Sequence, residues 1–150
     1  RIFNTYGPYM HPNDGRVVSN FILQALADRP ITVYGSGEQT RSFCYVTDLV
    51  RGILALMELN QKFELPVNLG NPHEITVNQL ASQVCDLTGA NILRVHSEKP
   101  VDDPMRRMPD ISYASQILDW RPTVDLVHGL GETINYFRYQ KQRGSSRLVA

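Results

Sequence analysis

Arg1-Ile2-Phe3-Asn4-Thr5-Tyr6-Gly7-Pro8 opens the chain. It reads as a short strand over 1–6, apolar at its start, polar at Asn4-Thr5 and closed by the turn pair Gly7-Pro8. In open α/β sheets, ligands gather at the carboxyl ends of strands, where side chains and loop backbone converge. A strand ending in Asn-Thr suits that position, and the same residues also suit a plain turn held by their side chains. The stretch that follows decides the fold class. A polar loop over 9–16 carries His11, Pro12, Asn13, Asp14 and Gly15. Val17, Val18, Phe21, Ile22, Ala25 and Leu26 then recur at helical spacing until Asp28-Arg29-Pro30 stops them. Strand, loop and helix in that order begin an α/β chain.

Outward from there the alternation continues. Ile31–Tyr34 and 42–46 read as strands around Gly35-Ser36-Gly37. Thr47 can cap a helix whose Leu49, Val50, Ile53, Leu54 and Met57 form a wide stripe expected to be buried. Residues 67–70 form the next strand. Thr76 and Gln79 stand at capping-box spacing ahead of Val77, Leu80, Ala81, Val84 and Leu87, and Gly89 stops that helix. A strand over 92–95 leads into 97–110, a charged loop with three prolines and no periodicity. A loop of that length in a compact domain is usually functional or disordered. A short helix around 114–118 precedes a last one with Val127, Leu130, Ile134 and Phe137 on one face. Residues 1–142 thus read as one unit and 143–150 as a flexible tail.

Lys+Arg and Asp+Glu both number 15, so the formal charge is zero. No global field attracts nucleic acid or an acidic membrane, and any anion must be held by local arginines and backbone donors. The two cysteines, Cys44 and Cys85, are too few for a disulfide framework and too far apart for a zinc knuckle. They favour a reducing compartment, the cytoplasm first. No apolar run approaches the ~18 residues of a membrane span. The four histidines lack metal-ligand spacing, so no metal site is expected. Arg1-Ile2-Phe3 enters directly as a strand, as expected of a chain that begins inside a fold.

Three polar clusters are the candidate sites. The first is Asn4-Thr5 with His11 and Arg16. The second is Gly35-Ser36-Gly37-Glu38-Gln39-Thr40-Arg41, too short for a phosphate-binding P-loop. Its Arg41 stands before an apolar strand, where the guanidinium fork can grip a phosphate or carboxylate. The third is Asp102-Asp103-Pro104-Met105-Arg106-Arg107-Met108-Pro109-Asp110. Arginines held between prolines have less freedom to lose on binding an anion. No Ser-His-Asp set or carboxylate pair is identifiable, and Tyr139-Gln140-Lys141 has the wrong spacing for a Tyr-x-x-x-Lys pair.

Six motifs in order carry a resemblance. They are Arg1–Pro8, then Asn13-Asp14-Gly15-Arg16-Val17-Val18-Ser19-Asn20-Phe21, and Val33-Tyr34-Gly35-Ser36-Gly37 with Gln39-Thr40-Arg41-Ser42-Phe43. Val67-Asn68-Leu69-Gly70-Asn71-Pro72, Asp102-Asp103-Pro104 and Arg107-Met108-Pro109-Asp110-Ile111 complete the series. Together they resemble the extended short-chain dehydrogenase/reductase family, and within it the UDP-glucuronate decarboxylases, over nearly the whole chain. The resemblance implies the last part of an NAD-binding Rossmann sheet plus the smaller C-terminal sugar-nucleotide-binding domain. The family's glycine-rich cofactor fingerprint and Tyr-x-x-x-Lys pair are not among these residues.

By that resemblance Asn4, Val18, Ser19, Arg41, Tyr45 and Arg107 would hold a UDP-sugar. Thr5, His11 and Arg16 would line the NAD side, and Arg107 would also act on the carboxylate and the enolate that develops. Met108 stands where relatives often have Lys. The implied reaction oxidises the sugar at C4, releases carbon dioxide from the β-keto acid and reduces the product to UDP-xylose. A nucleotide-sugar 4,6-dehydratase or 4-epimerase of the same superfamily is the alternative, and a non-catalytic α/β binding module is another. The full-length enzyme is expected to be a homodimer, lumenal and membrane-tethered in the Golgi if eukaryotic. The fragment is expected to be inactive and to self-associate.

Overall fold

Helical spacing after Arg16 becomes a helix because Val18, Phe21, Ile22 and Ala25 share one face and are all buried there. In the computed structural model, which describes residues 1–60, 62, 65–98 and 102–146, this helix is α1, Val17–Leu26. It follows β1, Thr5–Tyr6, and leads to β2, Ile31–Tyr34, whose Ile31 and Val33 alternate inward. Next come β3, Thr40–Ser42, β4, Cys44–Tyr45, and α2, Val46–Glu58. β5, Glu74–Thr76, runs directly into α3, Val77–Thr88. β6, Arg94–Ser97, and β7, Arg106–Arg107, precede α4, Ser112–Leu118, and α5, Leu126–Ser146.

The strands form three small sheets rather than one. β1 pairs parallel with β4, and β2 pairs parallel with β6. β3 is the centre of the third sheet, with β5 antiparallel on one side and β7 parallel on the other. The strand expected over 1–6 is only partly regular, since its first half is tied by a single parallel bridge between Ile2 and Leu69. For the same reason 67–70 is a bridge and not a strand. The α/β class holds.

Two apolar clusters support these elements. One gathers α1, β2, α3 and α5 through Phe21, Ile22, Val33, Leu80, Leu130 and Ile134. The other packs Leu49, Val67, Leu69 and Ala114 around the fully buried Trp120. The indole N–H donates to the Asp48 carbonyl at 3.0 Å. Asp48 is itself buried, and its carboxylate accepts from the Thr123 and Val124 amides, each at 2.9 Å. Burial pushes this carboxyl up, but the donors from Val124, Arg51 and Thr123 outweigh it and hold it below its ordinary range.

Three expectations are corrected. The α2 stripe is split: Leu49 faces the core, whereas Val50, Leu54 and Met57 are exposed. Thr47 lies inside α2 and Tyr45 is its N-cap, without a side-chain bond. Helix α5 continues through Ser146, past the point where a tail was expected to start, and 147–150 lie outside the described residues. The capping box at Thr76 and Gln79 and the left-handed stop at Gly89 are present as read.

Candidate functional site

The carboxyl end of the first strand does open onto a cleft. The Asn4 carbonyl accepts from the Cys44 amide at 2.8 Å, which fixes the backbone beside β4. Around it lies a cavity of about 520 Å³ lined by Asn4, Thr5, Arg16, Val18, Arg41 and Arg107, with Phe3 and Phe43 as apolar walls. Three distant segments therefore supply one site. Asn4, Arg41 and Arg107 converge.

Strand parity explains how the two arginines meet. Arg41 and Arg107 are partners in the parallel β3–β7 pair, and side chains of paired residues project from the same face. Arg41 is 8% exposed. Its fork is already engaged, donating to the Thr40 carbonyl at 2.6 Å and pairing with the Asp103 carboxylate, which also lines the cleft. Arg107 is exposed, and its guanidinium has no protein partner among the described residues. Its carbonyl accepts from the Ser42 hydroxyl at 3.3 Å. Arg106, one residue away, points to the opposite face and pairs with Glu74 at 2.6 Å. The adjacent arginines of the charged loop thus have separate duties.

The N-terminus of α1 forms another wall through Val17 and Val18. Its first intrahelical bond runs from the Asn20 amide to the Arg16 carbonyl at 3.0 Å, so the amides of Val17 and Val18 have no acceptor within the helix. Asp14 already braces this turn, accepting from the Arg16 amide at 3.1 Å and the Ser19 hydroxyl at 2.8 Å. A second recess, of about 250 Å³, adjoins the cleft and is lined by Thr32, Tyr34 and Gln39. Arg41 and Asp103 border both spaces. The site is therefore two chambers meeting at a buried guanidinium.

Three residues expected at the site are not in this cleft. Ser19 is fully buried and spends its hydroxyl on Asp14 and on the Arg16 carbonyl. Tyr45 is buried against Tyr6, ring centroids 5.5 Å apart, and burial with nearby Glu132 raises its phenol. His11 is exposed in its own turn, where its Nδ1 accepts from the Asn13 amide. Sequence reading in turn missed Asp103 as a partner of Arg41 and gave Glu74 no role. The acid-rich Asp102-Asp103 pair was the available signal for the first; nothing local signals the second. Among the described residues, no group of three or more His, Cys, Asp or Glu side chains gathers to hold a metal ion.

A strand end, a helix N-terminus and a buried arginine thus meet around one cleft of an α/β fold. Residues 1–70 match the NAD dependent epimerase/dehydratase family. Over most of its length the chain is similar to UDP-glucuronic acid decarboxylases. It is 56% identical over 138 residues to UDP-glucuronic acid decarboxylase 1 of Xenopus tropicalis, covering 92% of this chain and 32% of that protein. It is 52% identical over 130 residues to UDP-glucuronic acid decarboxylase 3 of Arabidopsis thaliana, covering 87% and 37%. Among solved structures it is similar to the UDP-glucuronic acid 4-epimerase of Bacillus cereus in complex with UDP-glucuronic acid and NAD. The TM-score is 0.88 and the identity 30%, over 93% of this chain and 44% of that one. The chain spans about a third of the length of these curated relatives.

Proposed function

We propose that this chain is the substrate-binding part of an NAD-dependent decarboxylase that converts UDP-glucuronate to UDP-xylose and carbon dioxide. The observation that carries the reading is the meeting of Asn4, Arg41 and Arg107 at one cleft. Arg41, at the junction of the two chambers, is placed for a diphosphate. The recess with Tyr34 and Gln39 suits a base, which can lie against an aromatic ring and bond to an amide. Arg107, whose guanidinium has no protein partner among the described residues, is left for the glucuronate carboxylate.

Bound NAD would supply the hydride chemistry at the sugar C4. The chain's own residues fit only its reactive end. Thr5 and Arg16 stand at the rim of the cleft, His11 does not, and the glycine-rich phosphate loop is not among these residues. With the C4 carbonyl as electron sink, the electron pair of the C5–carboxylate bond moves into an enolate as carbon dioxide leaves. Arg107 is always protonated, so it is a poor classical acid. It orients the carboxylate and then stabilises the negative charge as that charge passes to the enolate oxygen.

The full-length protein, incubated with UDP-glucuronate and NAD, should release carbon dioxide and form UDP-xylose, and Arg107→Ala should abolish this. Epimerised UDP-sugar without carbon dioxide would favour the epimerase reading instead, and binding without turnover a non-catalytic module. The 150-residue chain alone should bind NAD weakly or not at all, which a fluorescence titration measures. A homodimeric full-length enzyme and a cytoplasmic setting, the latter suggested by the two free thiols, belong to the same proposal. Sedimentation and cell fractionation test them.

A further inference from the structure

The geometry points to Glu74 as a positioning residue for Arg107: by locking Arg106 on the far face of β3, it fixes the register that sends Arg107 into the cleft. The inference rests on the reading of Arg107 as the group that meets the substrate carboxylate. β7 is two residues long, and both are arginine. Shifting a strand by one residue moves every side chain to the opposite face. A slipped β7 would therefore still send an arginine into the cleft, but Arg106, one residue out of place.

Backbone ties do not choose between these registers with any force. Among the described residues they include the Thr40 amide on the Met105 carbonyl at 2.9 Å and the short β3–β7 pairing itself. The Arg41–Asp103 pair and the Ser42 hydroxyl on the Arg107 carbonyl hold the segment beside β3, and the two arginines within it are sorted by side chains on the face away from the cleft. Arg106 Nε donates to both Glu74 oxygens, at 3.0 and 2.8 Å. The Thr40 hydroxyl donates to Glu74 Oε1 at 2.8 Å. Thr40, Glu74 and Arg106 share that face because Thr40 is the register partner of Arg106 and Ser42 that of Glu74. These bonds hold the Glu74 carboxyl below its ordinary range, Arg106 being the largest cause. Glu74 does not line the cleft.

The test measures equilibrium binding of UDP-glucuronate and of UDP to the full-length protein by calorimetry. UDP lacks the carboxylate, so it reports the Arg41 side of the site alone. Glu74→Gln should weaken UDP-glucuronate roughly tenfold, the size of a lost charge-assisted bond, and UDP by less than about twofold. The exchange Glu74→Arg with Arg106→Glu rebuilds the cross-strand pair and should recover the preference for UDP-glucuronate. A merely structural role predicts equal weakening of both ligands; that result, no change, or failure of the exchange to recover the preference would overturn the inference. Arg107→Ala serves as the reference. If it binds UDP-glucuronate as tightly as the parent, the reading of the site falls first and this inference with it. Should Glu74→Gln fail to fold, Arg106→Met keeps the Glu74–Thr40 bond and must show the same unequal loss.

Discussion

Replacing Asp48 should cost more stability than any exchange at the cleft. Its carboxylate accepts from the Thr123 amide and hydroxyl, the Val124 amide and Arg51 Nη2, at 2.9, 2.9, 2.9 and 2.6 Å. After Asp48→Ala, Arg51 keeps the Arg121 carbonyl at 2.6 Å, and the Thr123 hydroxyl can turn to water. The two amides are the real loss. At about 1.5–2 kcal/mol for each bond to a charged acceptor, they sum to roughly 3–4 kcal/mol. Alanine's better helix propensity returns about 0.5 kcal/mol. The expected cost is near ~3 kcal/mol, or a melting temperature lower by roughly 6–12 °C at this chain length. Trp120 is the sole tryptophan and bonds to the Asp48 carbonyl, so its fluorescence in a urea titration reports the transition directly. The pH dependence has a fixed sign. A carboxyl lowered in the folded state contributes fully above its unfolded pKa, near ~3.9, and loses that contribution as pH falls through the folded value. The gap between the parent and Asp48→Asn should therefore close in acid. A cost under about 1 kcal/mol for alanine, or a gap unchanged by acid, would refute the reasoning, because a buried acceptor of this kind cannot be lost so lightly.

Three further outcomes follow from the packing. Cys44, pushed up to about 12 chiefly by burial, should resist a thiol reagent at pH 8 in the native protein and react only on unfolding. A rapid, stoichiometric reaction of both thiols without unfolding would contradict this. Gly129→Ala places a methyl against the Tyr6 hydroxyl and 2.8 Å from the Tyr45 ring, and overpacking of this kind costs roughly 1–3 kcal/mol in a chemical melt. Val50, Leu54 and Met57, 47, 51 and 76% exposed on α2, should drive concentration-dependent self-association of the isolated chain. Light scattering should show it, and Leu54→Glu should reduce it.

Local grammar was legible in the sequence. The capping box before Val77, the glycine stop at 89 and the α1 periodicity all depend on neighbours within a few residues. So did the choice of Asn4, Arg41 and Arg107, which stand at a strand end, before an apolar strand and between prolines. What could not be read was pairing across long separations. Arg41 meets Arg107 only because β3 and β7 lie side by side, 66 positions apart in the chain, as the register Arg41 with Arg107 shows. The α2 stripe looked uniform because periodicity tells which residues share a face, not how much of that face finds a neighbour. Nor could it be read that Tyr45 and Ser19 do not line this cleft: each is a polar group near it that is engaged by a hydrogen bond or ring contact of its own.

The capping box has a reach beyond its helix. Thr76 ends β5 and caps α3, so Glu74 stands two residues from a rod whose Leu80, Ala81 and Val84 are fully enclosed. The carboxylate that governs the arginine doublet inherits its position from the deepest part of the interior. Drift in that interior, harmless under most helices, would here be transmitted like motion along a lever arm to the aim of a side chain in another segment. Tolerance to substitution along α3 should accordingly be narrower than its distance from the cleft suggests.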